Sequence, residues 1–159
     1  MTEKAKLGVG YDAPVFCLPD QDGNEVCLDS FKRGWVILYF YPKDNTKGCI
    51  LEAIDFTANK QYIEEMGATV LGVSPDSVKS HSNFCTKHGL TITLLSDPKH
   101  GVLEEYGVWQ LKTMYGREYH GVVRSTFLVN PEGKIAEAWI KVRVANRVEA
   151  VKKRLSELA

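Results

Sequence analysis

Cys49 lies where a strand-like run gives way to a helix-like one, in Tyr39-Phe40-Tyr41-Pro42-Lys43-Asp44-Asn45-Thr46-Lys47-Gly48-Cys49-Ile50-Leu51-Glu52-Ala53. Free backbone N–H groups at a helix N-terminus favour negative charge, and a thiol placed there ionises more readily. The thiolate is the nucleophile and the form that peroxides oxidise. The residues around it fit that chemistry. Gly48 lets the backbone approach closely as the loop enters the helix. Thr46, three residues earlier, offers a hydroxyl to a thiolate or a peroxide oxygen, and Pro42 stiffens the turn and shields the pocket wall. A cation from elsewhere would complete the stabilisation, and Arg124, at the start of a strand-like run, is the best candidate. A charge entering a buried strand needs a partner, so its alternative is a salt bridge to a surface acid.

The elements that must position these residues follow from apolar patterning. Val15–Leu18 and Glu25–Leu28 alternate around Asp20-Gln21-Asp22-Gly23 and predict an N-terminal β-hairpin. Trp35–Tyr41 is continuously apolar, as in a strand buried on both faces. Helical spacing runs from Cys49 to Met66 and stops at Gly67. Ala68–Val73 and Thr91–Leu95 read as strands, Ser77–His88 and Gly101–Tyr106 as helices. Gly107–Val123 has weak periodicity. Arg124–Val129 and Lys134–Ile140 form a second hairpin around Asn130-Pro131-Glu132-Gly133, and Val144–Leu158 an amphipathic closing helix. Alternating βα units followed by an antiparallel pair predict an α/β fold, a mixed central sheet flanked by helices. Ligand chemistry in such sheets gathers at the carboxyl ends of parallel strands, where the loop after Tyr41 lies.

The 159 residues suit one domain spanning 1–159, with 44% apolar and 25% charged residues. Twenty basic and twenty acidic side chains cancel, so no bulk field points to nucleic acid or a membrane surface. Met1–Gly10 carries no secretory signal and no run is long and apolar enough to span a membrane, so the expected compartment is the cytoplasm. Four scattered cysteines with no CxxC pair do not make a disulfide scaffold or a zinc ribbon.

The segment Pro42-Lys43-Asp44-Asn45-Thr46-Lys47-Gly48-Cys49 matches the peroxiredoxin signature P-x-x-x-T-x-x-C. With the Glu52-Ala53 that follows, it resembles the peroxiredoxin Q (bacterioferritin comigratory protein) subfamily. The likeness extends through Leu94-Leu95-Ser96-Asp97-Pro98, Tyr106-Gly107-Val108-Trp109, Met114-Tyr115-Gly116 and Arg124-Ser125-Thr126-Phe127-Leu128-Val129, from about Asp12 to Leu158. It implies a thioredoxin-like fold, with Cys49 as peroxidatic cysteine and Pro42, Thr46 and Arg124 as its partners. It also implies hydrogen peroxide and organic hydroperoxides as substrates, a thioredoxin-like dithiol reductant, no metal or organic cofactor, and a monomer.

Two positions depart from the subfamily. Lys47 replaces the usual proline before Gly48, and Ile54 stands where many members carry a resolving cysteine. Cys85, 36 residues after Cys49, is the substitute that a subset of the subfamily implies. On the residues alone it is also an ordinary small side chain on a face shared with Val78 and His81. His81, Cys85 and His88 could instead ligate a metal. Cys17 and Cys27 sit on the two arms of the first hairpin, where a disulfide is conceivable, but a reduced pair is expected in a cytosolic protein. Trp35, Trp109 and Trp139 read as core aromatics, with Trp109 and Tyr115 as alternative walls of the peroxide pocket. A disulfide oxidoreductase would need a cysteine where Thr46 stands, and a non-catalytic thioredoxin-like module would not need Pro42, Thr46, Cys49 and Arg124 together.

Overall fold

The computed structural model describes residues 7–31, 33–141 and 144–159. Most of Met1–Gly10, where the sequence shows no secretory signal, lies outside them. A short antiparallel hairpin, β1 (Cys17–Pro19) and β2 (Glu25–Cys27), comes first. Its turn is tied by Asp20, whose Oδ1 accepts from the backbone N–H groups of Asp22 and Asn24. Cys17 and Cys27 face each other in register and are joined in a disulfide, which corrects the expectation of a reduced pair. Cross-strand neighbours come within bonding reach, and this pairing outweighs the compartment argument. The hairpin is a sheet of its own, pinned to the main body by Gln21, whose side chain bonds both the Ile92 carbonyl and the Leu94 N–H.

The central sheet has five strands: β3 (Trp35–Phe40), β4 (Ala68–Ser74), β5 (Thr93–Ser96), β8 (Ser125–Val129) and β9 (Ile135–Trp139). Their order is β5-β4-β3-β8-β9, with β3, β4 and β5 parallel and β8 and β9 antiparallel, the expected mixed arrangement. Side chains of β3 alternate between two cores. Val36, Leu38 and Phe40 pack with Phe16, Leu28 and helix α4 (Gly101–Glu105). Ile37, Tyr39 and Tyr41 pack on the other face with α1 (Lys47–Ala58), α2 (Lys60–Glu65), α3 (Val78–His88) and α5 (Arg147–Leu158). Gly72 on β4 is required there: a Cβ would lie 2.8 Å from the Tyr39 ring, which stacks on Phe56.

Two expectations change. The helix predicted over Cys49–Met66 begins two residues earlier and breaks at Asn59, whose side-chain Nδ2 bonds the Asp55 carbonyl and competes with the helical ladder. The weakly periodic stretch holds a ribbon, β6 (Trp109–Met114) and β7 (Arg117–Val122), turning at Tyr115-Gly116, both with positive φ. Most of its side chains are exposed on both faces, so no alternation marks it in the sequence.

The register of β3 against β8 pairs Phe40 with Ser125. The loop after β3 and the residue before β8 therefore meet at one end of the sheet. Replacing Cys17 and Cys27 together by alanine is expected to lower unfolding free energy by up to about 3 kcal/mol, from the loop that the bridge closes. Urea unfolding measures this.

Candidate active site

Thr46 is the N-cap of α1, and Lys47, Gly48 and Cys49 form its first turn. Cys49 is thus held against the open backbone N–H groups of the helix start, and it is buried, 1% exposed. The buried face of α1 is Cys49, Glu52, Ala53 and Phe56, a spacing of i, i+3, i+4 and i+7. A carboxylate on such a stripe needs a partner, and Arg124 supplies it. The Arg124 Nη1 donates to Glu52 Oε1, and its Nη2 lies 3.1 Å from the Cys49 Sγ. One guanidinium fork bridges the sulfur and the carboxylate. The surface-acid alternative for Arg124 is replaced by a buried one, and Arg124 immediately precedes β8 rather than lying within the strand.

Burial works against the Arg124 charge, but Glu52 and Cys49 outweigh it and hold its pKa above the ordinary arginine value. Glu52 also shifts up: burial raises its carboxyl pKa, and Arg124 offsets part of that rise. Glu52 Oε2 has no hydrogen-bond partner among the described residues. Gly48 makes the approach of Arg124 possible, because a Cβ there would meet Nη2 at 3.3 Å and Val144 Cγ2 at 3.5 Å. An open groove of about 440 Å³ runs beside Arg124, lined by Leu111, Lys112, Val123 and Lys141 among others. Arg124 is the residue that touches both this groove and the sulfur.

Thr46 is exposed and donates its hydroxyl to the Lys43 carbonyl at 2.9 Å, which leaves its oxygen lone pairs to accept a further hydrogen bond. Pro42 is half-buried at the start of the loop, directly after Tyr41. Lys47 is exposed. Cys85 lies on α3, packed against the same core cluster as Cys49, and both are free thiols. Burial pushes the Cys85 thiol up to about 11, with the Asp44 and Asp22 carboxylates adding to the shift.

The metal reading of His81, Cys85 and His88 gives way to other contacts. Both ring nitrogens of His81 are engaged, by Asp44 and by the Leu95 carbonyl, and His88 turns to Asn45. Trp109 stacks on His100 with centroids 3.8 Å apart, and Tyr115, at the ribbon tip, is 98% exposed. Neither lines the groove beside Arg124. Trp35 and Trp139 are half-buried against the helical core face. Sequence reasoning overlooked Glu52 and Asp44 as site residues and took His81 only as a candidate metal ligand or packing residue. Glu52 was detectable from its place on the buried stripe of α1, whereas Asp44 had no comparable signal.

Arg124→Gln is expected to slow the reaction of peroxide with Cys49 by about 10²–10³-fold, as for loss of a preorganised charge donor. Gly48→Ala, which forces Nη2 outward, should slow it several-fold with the fold intact. Stopped-flow tryptophan fluorescence over a range of peroxide concentrations reads both.

Residues 9–138 match the model of the AhpC/TSA family. The putative peroxiredoxin Bcp of Coxiella burnetii is 46% identical over 149 residues, covering 94% of this chain and 99% of that protein. Peroxiredoxin Bcp of Bacillus subtilis is 40% identical over 153 residues, 96% of this chain and 98% of its own. Among solved structures, peroxiredoxin Q of Xanthomonas campestris superposes with a TM-score of 0.88 at 40% identity, over 94% of this chain and 97% of that one. With sequence and fold matched over nearly the whole length, the chain belongs to the AhpC/TSA family and is a peroxiredoxin, a thiol peroxidase of the Bcp or peroxiredoxin Q type.

Proposed function

We propose that Cys49 is the peroxidatic cysteine, with Arg124, Thr46 and Pro42 as its working partners, and that Cys85 resolves it. The observation that carries the reading is the Arg124 fork, with Nη2 3.1 Å from the Cys49 sulfur and Nη1 on Glu52. The Cys49 thiolate attacks the terminal oxygen of a hydroperoxide. The S–O bond forms as the O–O bond breaks, and the leaving oxygen takes up a proton to depart as water or an alcohol. Arg124 offsets the charge that moves from sulfur to oxygen, and Thr46 orients the peroxide. The Cys49 sulfenic acid then condenses with the Cys85 thiol, releasing water and leaving a disulfide that a thioredoxin-like dithiol reduces.

Xanthomonas campestris bacterioferritin comigratory protein has alkyl peroxide reduction activity, which supports organic hydroperoxides as well as hydrogen peroxide as substrates here. Peroxiredoxin Q of the same organism has been solved with serine in place of each of two cysteines whose separation equals that of Cys49 and Cys85. This supports the pairing. No described helix is long and apolar enough to cross a membrane, and the charges of the full chain balance, which supports a cytoplasmic enzyme without nucleic-acid or membrane partners. We place it there as a single-domain monomer that needs no metal or organic cofactor.

Cys49→Ser should abolish peroxide consumption. Cys85→Ser should retain the first oxidation but lose turnover with a dithiol donor. In the parent, one equivalent of hydrogen peroxide should yield a cross-linked peptide pair containing Cys49 and Cys85. Unchanged dithiol-driven turnover in Cys85→Ser would point to a one-cysteine cycle with an external thiol.

A further inference from the structure

The face of α3 that carries Cys85 is not free. His81, Cys85 and His88 follow one another along it, and both histidines hold the loop that leads to Cys49. His81 is fully buried, its Nδ1 2.7 Å from Asp44 Oδ2 and its Nε2 2.9 Å from the Leu95 carbonyl. A carbonyl can only accept, so Nε2 carries a proton. Asp44 also accepts from the Ser80 hydroxyl on Oδ2 and from the Tyr41 hydroxyl on Oδ1. The pair is a buried contact in which each polar atom has a partner. Asp44 is fixed further by its own N–H, which donates to Asp76 Oδ2 at 2.7 Å. At the far end of the same helix, His88 Nε2 meets Asn45 Oδ1 at 3.3 Å on the exposed side. Cys85 lies between these two fastenings.

We infer that the His81–Asp44 pair, with His88–Asn45 as its exposed outer contact, is a latch that sets how fast Cys85 reaches oxidised Cys49. The inference rests on Cys85 being the resolving cysteine. A disulfide needs the two Cα atoms within about 7 Å and the sulfurs bonded, and here both thiols are free, Cys49 buried on α1 and Cys85 on α3. In this latch, the loop at Asp44 and the helix at His81 part before the sulfurs meet. Parting them leaves buried polar atoms without partners, which costs more than breaking a surface contact. The latch therefore prolongs the life of the Cys49 sulfenic acid. During that time a second peroxide can carry it to the sulfinic acid, adding one more oxygen to sulfur and releasing one more water or alcohol. Asp44 and His81 are positioning residues: they touch neither sulfur, and their effect falls on the second step rather than the first.

The test separates the two steps in single turnover, following sulfenic acid formation and then disulfide formation by fluorescence and acid-quenched mass spectrometry. Asp44→Asn keeps the shape and removes the charge. It should speed disulfide formation roughly tenfold or more, given what a broken buried pair costs. It should also lower sulfinic acid yield at excess peroxide and raise amide exchange in residues 43–48 and in α3, with β3, β4 and β5 unchanged. His81→Asn should act in the same direction, and the double variant should be no faster than the faster single one, because both break one contact. His88→Ala, at a half-buried position beside the Phe84 ring, removes the outer contact alone and should speed resolution about two- to threefold. Disulfide formation at the parent rate in Asp44→Asn overturns the latch. Should that variant not fold, the parent rate in His88→Ala does so. A parent protein that forms no Cys49–Cys85 disulfide overturns the resolving role of Cys85, and the latch with it, whereas a parent that forms it at a rate no variant changes overturns the latch alone.

Discussion

Two groups that carry negative charge in their working forms, the Cys49 sulfur and the Glu52 carboxylate, stand one turn apart on the buried face of one helix. Burying either alone is costly, and burying both requires a cation between them. Arg124 is that cation, and its planar fork reaches both at once. A lysine in its place would offer a point charge to one or the other. Much of the fold can be understood as what brings this arginine to that helix.

The sheet does so through the reversal of direction between β3 and β8. The parallel strands β3, β4 and β5 deliver the loop after Tyr41 to their carboxyl ends, where α1 begins. Antiparallel pairing of β8 with β3, Phe40 opposite Ser125, brings Arg124 to the same end. A parallel β8 would have put Arg124 at the far edge. Gly48 leaves room for Nη2, and Gly72 leaves room for the Tyr39 ring that supports α1 through Phe56. The first core lies across the sheet, away from this chemistry, and the disulfide-closed hairpin belongs to that side.

The continuous apolar run Trp35–Tyr41 and, to within two residues, the start of α1 were legible in the sequence because burial on both faces and apolar residues at helical spacing leave strong patterns. The β6–β7 ribbon was not, since side chains exposed on both faces carry no periodicity and Tyr115-Gly116 is a weak turn signal beside Asn-Gly. The break at Asn59 was hidden because it depends on a side chain competing for one carbonyl, which apolar spacing does not record. The Cys17–Cys27 bond was misjudged because compartment was weighed above register. At the site, Arg124 could be singled out as a charge at the head of a core strand. Its partner Glu52 needed the helix stripe to be read for a misplaced charge as well as for apolar residues. Asp44 and His81 meet across 37 residues, and only tertiary structure brings them together.

The account stands on Cys49 being the atom that peroxide oxidises first. Trapping the sulfenic acid with dimedone during the first turnover, at substoichiometric peroxide and with peptide-level mass mapping, tests this most directly. The account predicts the adduct on Cys49, forming at a rate proportional to peroxide concentration. An adduct on Cys85 or on a hairpin cysteine, with Cys49 still a bare thiol, would contradict it.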